Sequence, residues 1–152
     1  MTKSSLPPQF RIDSLPYARW LGVQVELAGD EMTAILPFDQ KLVGNPVLPA
    51  LHGGVIGAFM EMTAMAQLAI AERRARLPKP IGVSVEYLRS ARPQTTYARA
   101  RVKKIGRRIA NVEVEAWQSA RDAPIATLNA NFLLADPEDT EPTFAEMAKN
   151  DG

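Results

Sequence analysis

Glu61 is the only ionisable residue between His52 and Glu72, and it stands in a run that is otherwise apolar. From Gly54 to Ala71 the only strongly hydrogen-bonding side chains are Glu61, Thr63 and Gln67. A carboxylate in such surroundings is paired, protonated or put to work. Its helical neighbours Gly57, Ala58, Ala64 and Met65 supply no cation, which excludes a local salt bridge and leaves a distant partner open. Ahead of it, His52-Gly53-Gly54 opens the run. A helix N-terminus carries unpaired N–H groups and a partial positive charge. Two glycines leave those amides bare, so an oxyanion can approach them. Acid–base or nucleophilic chemistry at Glu61 and anion stabilisation at Gly53-Gly54 are the reactions this pattern offers; a buried structural network around Glu61 is the competing reading.

The run holding these groups contains no Pro and is dominated by Ala, Met and Leu, which predicts a helix. A helix apolar on every side must be wrapped by protein or lipid. Lipid is disfavoured: the run is near the lower limit of about 17–25 residues for a span, and a mid-helix carboxylate costs roughly 2.5–3.5 kcal/mol on insertion. No other stretch is comparably apolar, so a core helix without membrane insertion is expected.

A chain of 152 residues, 46% of them hydrophobic, supports one domain with a sizeable core. A net charge of +1 argues against a nucleic-acid partner. With no Cys, disulfides, thiolate metal sites and cysteine nucleophiles are excluded, and a single His excludes a His-rich metal centre within one chain. The start, Met1 to Pro8, has no apolar segment of the secretory kind, and a cytoplasmic location is the expectation.

Along the chain, residues 1–12 read as a loose polar arm, 13–135 as the domain and 136–152 as a polar tail with a short helix over Thr143 to Lys149. Asp13 or Ser14 caps a short helix through Tyr17, Ala18 and Trp20 that ends at Gly22. Val23, Val25 and Leu27 alternate with polar residues as a strand, Gly29-Asp30 turns, and Met32 to Phe38 returns. Asp39 to Ala50 holds too many breakers for regular structure. The long helix follows and runs on to Arg76, where basic residues suit its C-terminal end, before Pro78 and Pro80. Four alternating strands complete the domain: Ile81 to Leu88, Tyr97 to Ile105, Asn111 to Gln118 and Ile125 to Leu134, with a hairpin tip at Gly106-Arg107-Arg108. Arg99, Arg101 and Lys103 oppose Glu113 and Glu115 on a solvated sheet face. A hairpin, one buried helix and four antiparallel strands make an α+β protein in which a curved sheet of about six strands wraps one central helix, the hotdog arrangement. One protomer cannot hide that helix completely, so an oligomer is expected.

Asn45, the Leu51-His52-Gly53-Gly54-Val55 run, a carboxylate nine residues after His52, and Gly106-Arg107-Arg108 in a later hairpin are similar to hotdog acyl-CoA thioesterases of the PaaI type. That group includes phenylacetate-pathway and hydroxybenzoyl-CoA thioesterases, and the likeness covers roughly Leu15 to Leu134. Two features depart from the pattern: the segment from Asn45 to His52 is one residue longer, and Gln94-Thr95 stands where Gly-Asp is common.

The resemblance implies hydrolysis of an acyl-CoA to free acid and CoA, with no cofactor beyond the CoA of the substrate. Glu61 is then the general base for water, or the nucleophile through a mixed anhydride. Gly54 N–H polarises the thioester carbonyl, with Gly53 beside it. His52 orients the loop or hydrogen-bonds near the sulfur, a helix-capping role being equally open. Asn45 holds the attacking water or the carbonyl. The CoA phosphates call for a basic rim, for which Arg89 and Arg92 are the candidates, salt-bridge or solvated roles being equally open for each. Glu61 lies about 10–11 Å along the helix from Gly54, too far to act on the same carbonyl. A homodimer, alone or as a dimer of dimers, resolves this by bringing one helix start to the middle of the other helix. An acyl-thioester hydratase or dehydratase on the same fold, and a non-catalytic acyl-CoA binder, are the alternatives.

Overall fold

The computed structural model describes residues 12–72, 78–134 and 149. The expected N-terminal arm, the helix extension through Arg76 and the tail helix from Thr143 lie outside these residues, apart from Ile12 and Lys149. A short helix α1 (Pro16–Leu21) enters with Pro in its first turn and ends on Gly22, whose φ of 80° closes the cap. Strands β1 (Gln24–Ala28) and β2 (Glu31–Leu36) form the expected hairpin, with Gly29 at φ 64° in the turn.

Two short strands, β3 (Val43–Asn45) and β4 (Ala50–Leu51), lead into helix α2 (Gly53–Glu72). The segment from Asp39 to Ala50, read as irregular, is therefore more ordered than its breakers suggest. Asp39 caps a 3₁₀ turn over Gln40–Leu42, and β3 pairs with β4 across a turn. The Asn45 side chain supplies that turn's chemistry, its Oδ1 accepting from the amides of Val47 at 3.0 Å and Leu48 at 3.3 Å.

Four long strands follow α2: β5 (Lys79–Tyr87), β6 (Thr96–Ile105), β7 (Ile109–Trp117) and β8 (Ala126–Leu133). The main sheet has six strands in the order β1-β2-β6-β7-β8-β5, and every neighbouring pair is antiparallel. Helix α2 lies across its inner face. This is the hotdog fold.

Alternation explains why the helix fits. Ala98 and Ala100 on β6, Val112, Val114 and Ala116 on β7, and Ala126, Leu128, Ala130 and Phe132 on β8 are all buried towards Phe59, Met60, Ala64 and Leu68. The many alanines let the helix approach the strands closely. On β6 the alternation stops at a register shift between Val102 and Lys104. Lys104, which strict alternation would turn inward, is thereby exposed.

The sheet does not cover α2 on every side. Gly54 is exposed, and Gly57, Ala58, Glu61 and Met65 are only half-buried, forming one stripe at helical spacing. Beside this stripe, the edge strand β5 leaves Ile81, Val83 and Tyr87 exposed.

Candidate active site

His52 begins the site as the N-cap of α2. Its backbone amide donates to Leu42 O at 2.8 Å, and its own carbonyl accepts from Val55 at 3.0 Å and Ile56 at 3.2 Å. Its imidazole Nδ1 accepts from the amide of Gly54 at 2.9 Å. A cap side chain usually offers an oxygen to this position; here a ring nitrogen does so, which places the ring's hydrogen on Nε2 in the neutral form. The ring is held closely from the other side. A Cβ on Gly44 would lie 2.8 Å from His52 Cα and 2.9 Å from its Cβ, so β3 can pass His52 only with glycine there.

Gly53 and Gly54 form the first turn of α2, as the sequence suggests. Gly54 has little free space either: an added Cβ would meet His52 Nδ1 at 3.0 Å and Cε1 at 3.1 Å. The donor assigned to the substrate is therefore satisfied by His52 in the protomer. From β5, the Tyr87 hydroxyl donates to Gly53 O at 2.8 Å, and its ring lies against the Gly53 backbone. The sequence places Tyr87 only within the alternating strand from Ile81 to Leu88. A strand aromatic followed by an Arg-containing loop is a weak signal, and its helix partner is 34 residues away in sequence.

Glu61 follows on the same uncovered stripe as Gly54. Its carboxylate has no hydrogen bond or ion pair among the described residues, and burial raises its carboxyl above the usual carboxylate range. Thr63 is fully buried and donates to Phe59 O at 2.7 Å, which gives it a packing role on another face. Gln67, also buried, fastens the β1–β2 turn through Met32 N at 3.0 Å and Asp30 O at 2.8 Å.

Asn45 ends β3, exposed, with its Oδ1 committed to the turn before β4. Arg89 and Arg92 are exposed in the loop after β5. That loop is pinned by Gln118, which accepts from Arg92 N at 3.0 Å and donates to Arg92 O at 2.8 Å.

A depression of about 650 Å³ opens on the opposite face of the sheet, lined in part by Glu31, Glu86, Arg99, Glu113 and Arg121. Most of its charges are paired with one another. Arg99 pairs with Glu31 at 3.3 Å, Lys103 and Arg101 with Glu113 at 2.9 and 3.1 Å, and Arg121 with Glu115 at 2.8 Å. Lys103 and then Arg101 hold the Glu113 carboxyl below its usual range. This is the solvated, cross-paired face expected from the sequence, although Arg99 finds Glu31 rather than Glu115.

The sequence profile of the thioesterase superfamily matches residues 48–125, which include His52, both glycines, Glu61 and Tyr87. No curated protein matches the chain. Among solved structures, a protein from Chromobacterium violaceum is 40% identical, with 84% of this chain and 88% of that one aligned at a TM-score of 0.67. A phenylacetic acid degradation-related protein from Ralstonia eutropha JMP134 is 21% identical over 79% of this chain and 91% of its own, with a TM-score of 0.70. A thioesterase from Haemophilus influenzae is 19% identical over 86% of this chain and 90% of its own, with a TM-score of 0.74. With half of its length matched by that profile and the hotdog architecture in place, the chain belongs to the thioesterase superfamily.

Proposed function

We propose that this thioester hydrolase acts on acyl-CoA in the cytoplasm, as a homodimer or a dimer of dimers whose sites are shared between subunits. The observation that carries the reading is the placement of Glu61: a half-buried carboxylate without a partner among the described residues, on the stripe of α2 that also presents Gly54. Burial without a counter-charge costs free energy, and a catalytic role accounts for its retention.

In this reading the thioester carbonyl of the substrate takes the Gly54 amide as its oxyanion donor, displacing or sharing the His52 nitrogen. Glu61 of the opposite subunit removes a proton from water as water attacks the carbonyl carbon. The C–S bond then breaks, and CoA leaves as the thiol with the acid as co-product. Direct attack by Glu61, giving an anhydride that water then opens, uses the same groups. Asn45 Nδ2 is available to steady the water or the carbonyl. Gly53 carries the carbonyl end of the donor peptide beneath the Tyr87 ring, next to the bound carbonyl, and Arg89 and Arg92 stand at the rim for the phosphates of CoA. The exposed apolar edge of β5 beside the uncovered stripe of α2 supports the dimer, since an unpaired apolar edge strand invites pairing with a second copy.

The test is thiol release across aromatic, branched and straight-chain acyl-CoA substrates, with wild type and Glu61→Gln side by side. Turnover by wild type that falls at least about a hundredfold in the variant is expected for loss of a positioned base. Near-wild-type turnover by Glu61→Gln on a good substrate refutes the assignment.

A further inference from the structure

The Tyr87 bond has a consequence for the oxyanion donor that depends on one covalent fact: Gly53 C=O and Gly54 N–H belong to the same peptide group. That group is planar and conjugated, so electron density drawn towards its oxygen makes its N–H a stronger donor. Tyr87 Oη donates to the oxygen end at 2.8 Å, and the nitrogen end donates to His52 Nδ1 at 2.9 Å. The peptide is thus held at both ends by side chains, in a continuous relay from phenol to amide to imidazole.

The phenol is well placed for this. Tyr87 ends β5 in register with Ala126 on β8, and the next two amides, of Leu88 and Arg89, both donate to Ile125 O at 2.8 and 3.1 Å. Its ring lies over glycine backbone: a Cβ on Gly53 would be 3.4 Å from the ring, and one on Gly57 would be 3.5 Å from the hydroxyl. A rigid strand end therefore aims a donor at one peptide of the first helical turn.

We propose that Tyr87 is a positioning residue for thioester hydrolysis, its hydroxyl orienting and polarising the Gly53–Gly54 peptide so that the Gly54 amide meets the developing oxyanion. The proposal rests on the hydrolase reading above. It gives Tyr87 an effect on the chemical step and none on acyl-CoA affinity, because the hydroxyl acts through the peptide and the charge on the carbonyl oxygen grows only in the transition state.

The experiment is Tyr87→Phe, which keeps the ring and removes the hydroxyl. Two readings are taken on the full-length protein. In the first, kcat and KM are measured on the best acyl-CoA found for wild type. Loss of one neutral hydrogen bond acting through a relay predicts kcat about two- to tenfold lower, with KM unchanged. The second uses protein labelled with carbonyl-¹³C and ¹⁵N in glycine alone. Gly53-Gly54 is the only Gly-Gly pair in the sequence, so a carbonyl–amide correlation spectrum contains a single cross-peak. Removing the phenol moves both its Gly53 carbon and its Gly54 amide-proton coordinates upfield. An unchanged kcat, or an unmoved cross-peak, in a variant of wild-type melting temperature overturns the assignment of Tyr87. Absence of thiol release by wild type refutes the hydrolase reading instead, so the two failures are told apart.

Discussion

The Nδ1 of His52 lies 2.9 Å from the amide nitrogen of Gly54 and accepts its hydrogen, so the helix start carries its own acceptor on the donor that the proposed reaction needs. The imidazole satisfies an otherwise orphaned amide in the free protein and must yield or share it when a carbonyl arrives. Its position also orders the loop from Leu42, through the bond from His52 N to Leu42 O.

His52→Ala removes the cap and is expected to lower stability by about 1 kcal/mol. His52→Asn supplies a side-chain oxygen at the same position and restores most of it. Urea melts of the three proteins check this; equal midpoints for wild type and His52→Ala contradict the capping role.

Gly44→Ala is expected to cost more than an ordinary loop substitution. The new methyl would meet His52 Cα at 2.8 Å and Cβ at 2.9 Å, atoms that cannot rotate away. Overpacking of this kind costs about 1–3 kcal/mol, and here it also moves the cap. A lower melting temperature with lower kcat is the predicted pair of results, and an unaltered melting curve speaks against the contact.

Burial raises the Glu61 carboxyl above its ordinary value in the folded protein. Between its unfolded and folded pKa values the native state therefore binds more protons, and stability falls as pH rises through that window. Above the window the ionised, unpartnered carboxylate is a standing cost that Glu61→Gln removes. The variant should melt a few degrees higher than wild type near neutral pH, with the difference shrinking as pH falls towards the ordinary carboxylate value. In wild type the acid limb of kcat/KM should fall above the ordinary Glu pKa of about 4.3. A variant that melts lower than wild type at neutral pH would show that Glu61 is held by a stabilising partner.

The elements that position the site were legible because their signals are local. Apolar alternation at Ala98 and Ala100, at Val112, Val114 and Ala116, and from Ala126 to Phe132 specifies strands, and the unbroken run after Gly54 specifies the helix. Glu61 stood out for the same reason, as one charge in an apolar run. What the sequence left unread depends on partners distant along the chain or unusual in type. The β3–β4 pair is stabilised by an Asn45 side-chain turn, among residues whose composition reads as loop. The cap on Gly54 was one of several roles open to His52, and the sequence could not single it out because an imidazole lies outside the usual set of capping side chains. Tyr87 reaches Gly53 only because β5 lies alongside the start of α2, a juxtaposition that no local pattern encodes.

The central claim, that each site joins Glu61 of one subunit to the Gly54 amide of the other, is tested most directly by complementation. Glu61→Gln removes the carboxylate, and Gly54→Pro removes the amide donor; proline fits a first helical turn by its backbone, and here its ring also pushes aside the His52 imidazole, which lies 3.0 Å from a Cβ at this position. Each variant alone should be nearly inactive. A heterodimer of the two, isolated through different tags, contains one doubly broken site and one intact site, and is predicted to show about half the wild-type thiol-release rate per dimer. A heterodimer no more active than its inactive parents would contradict the shared site.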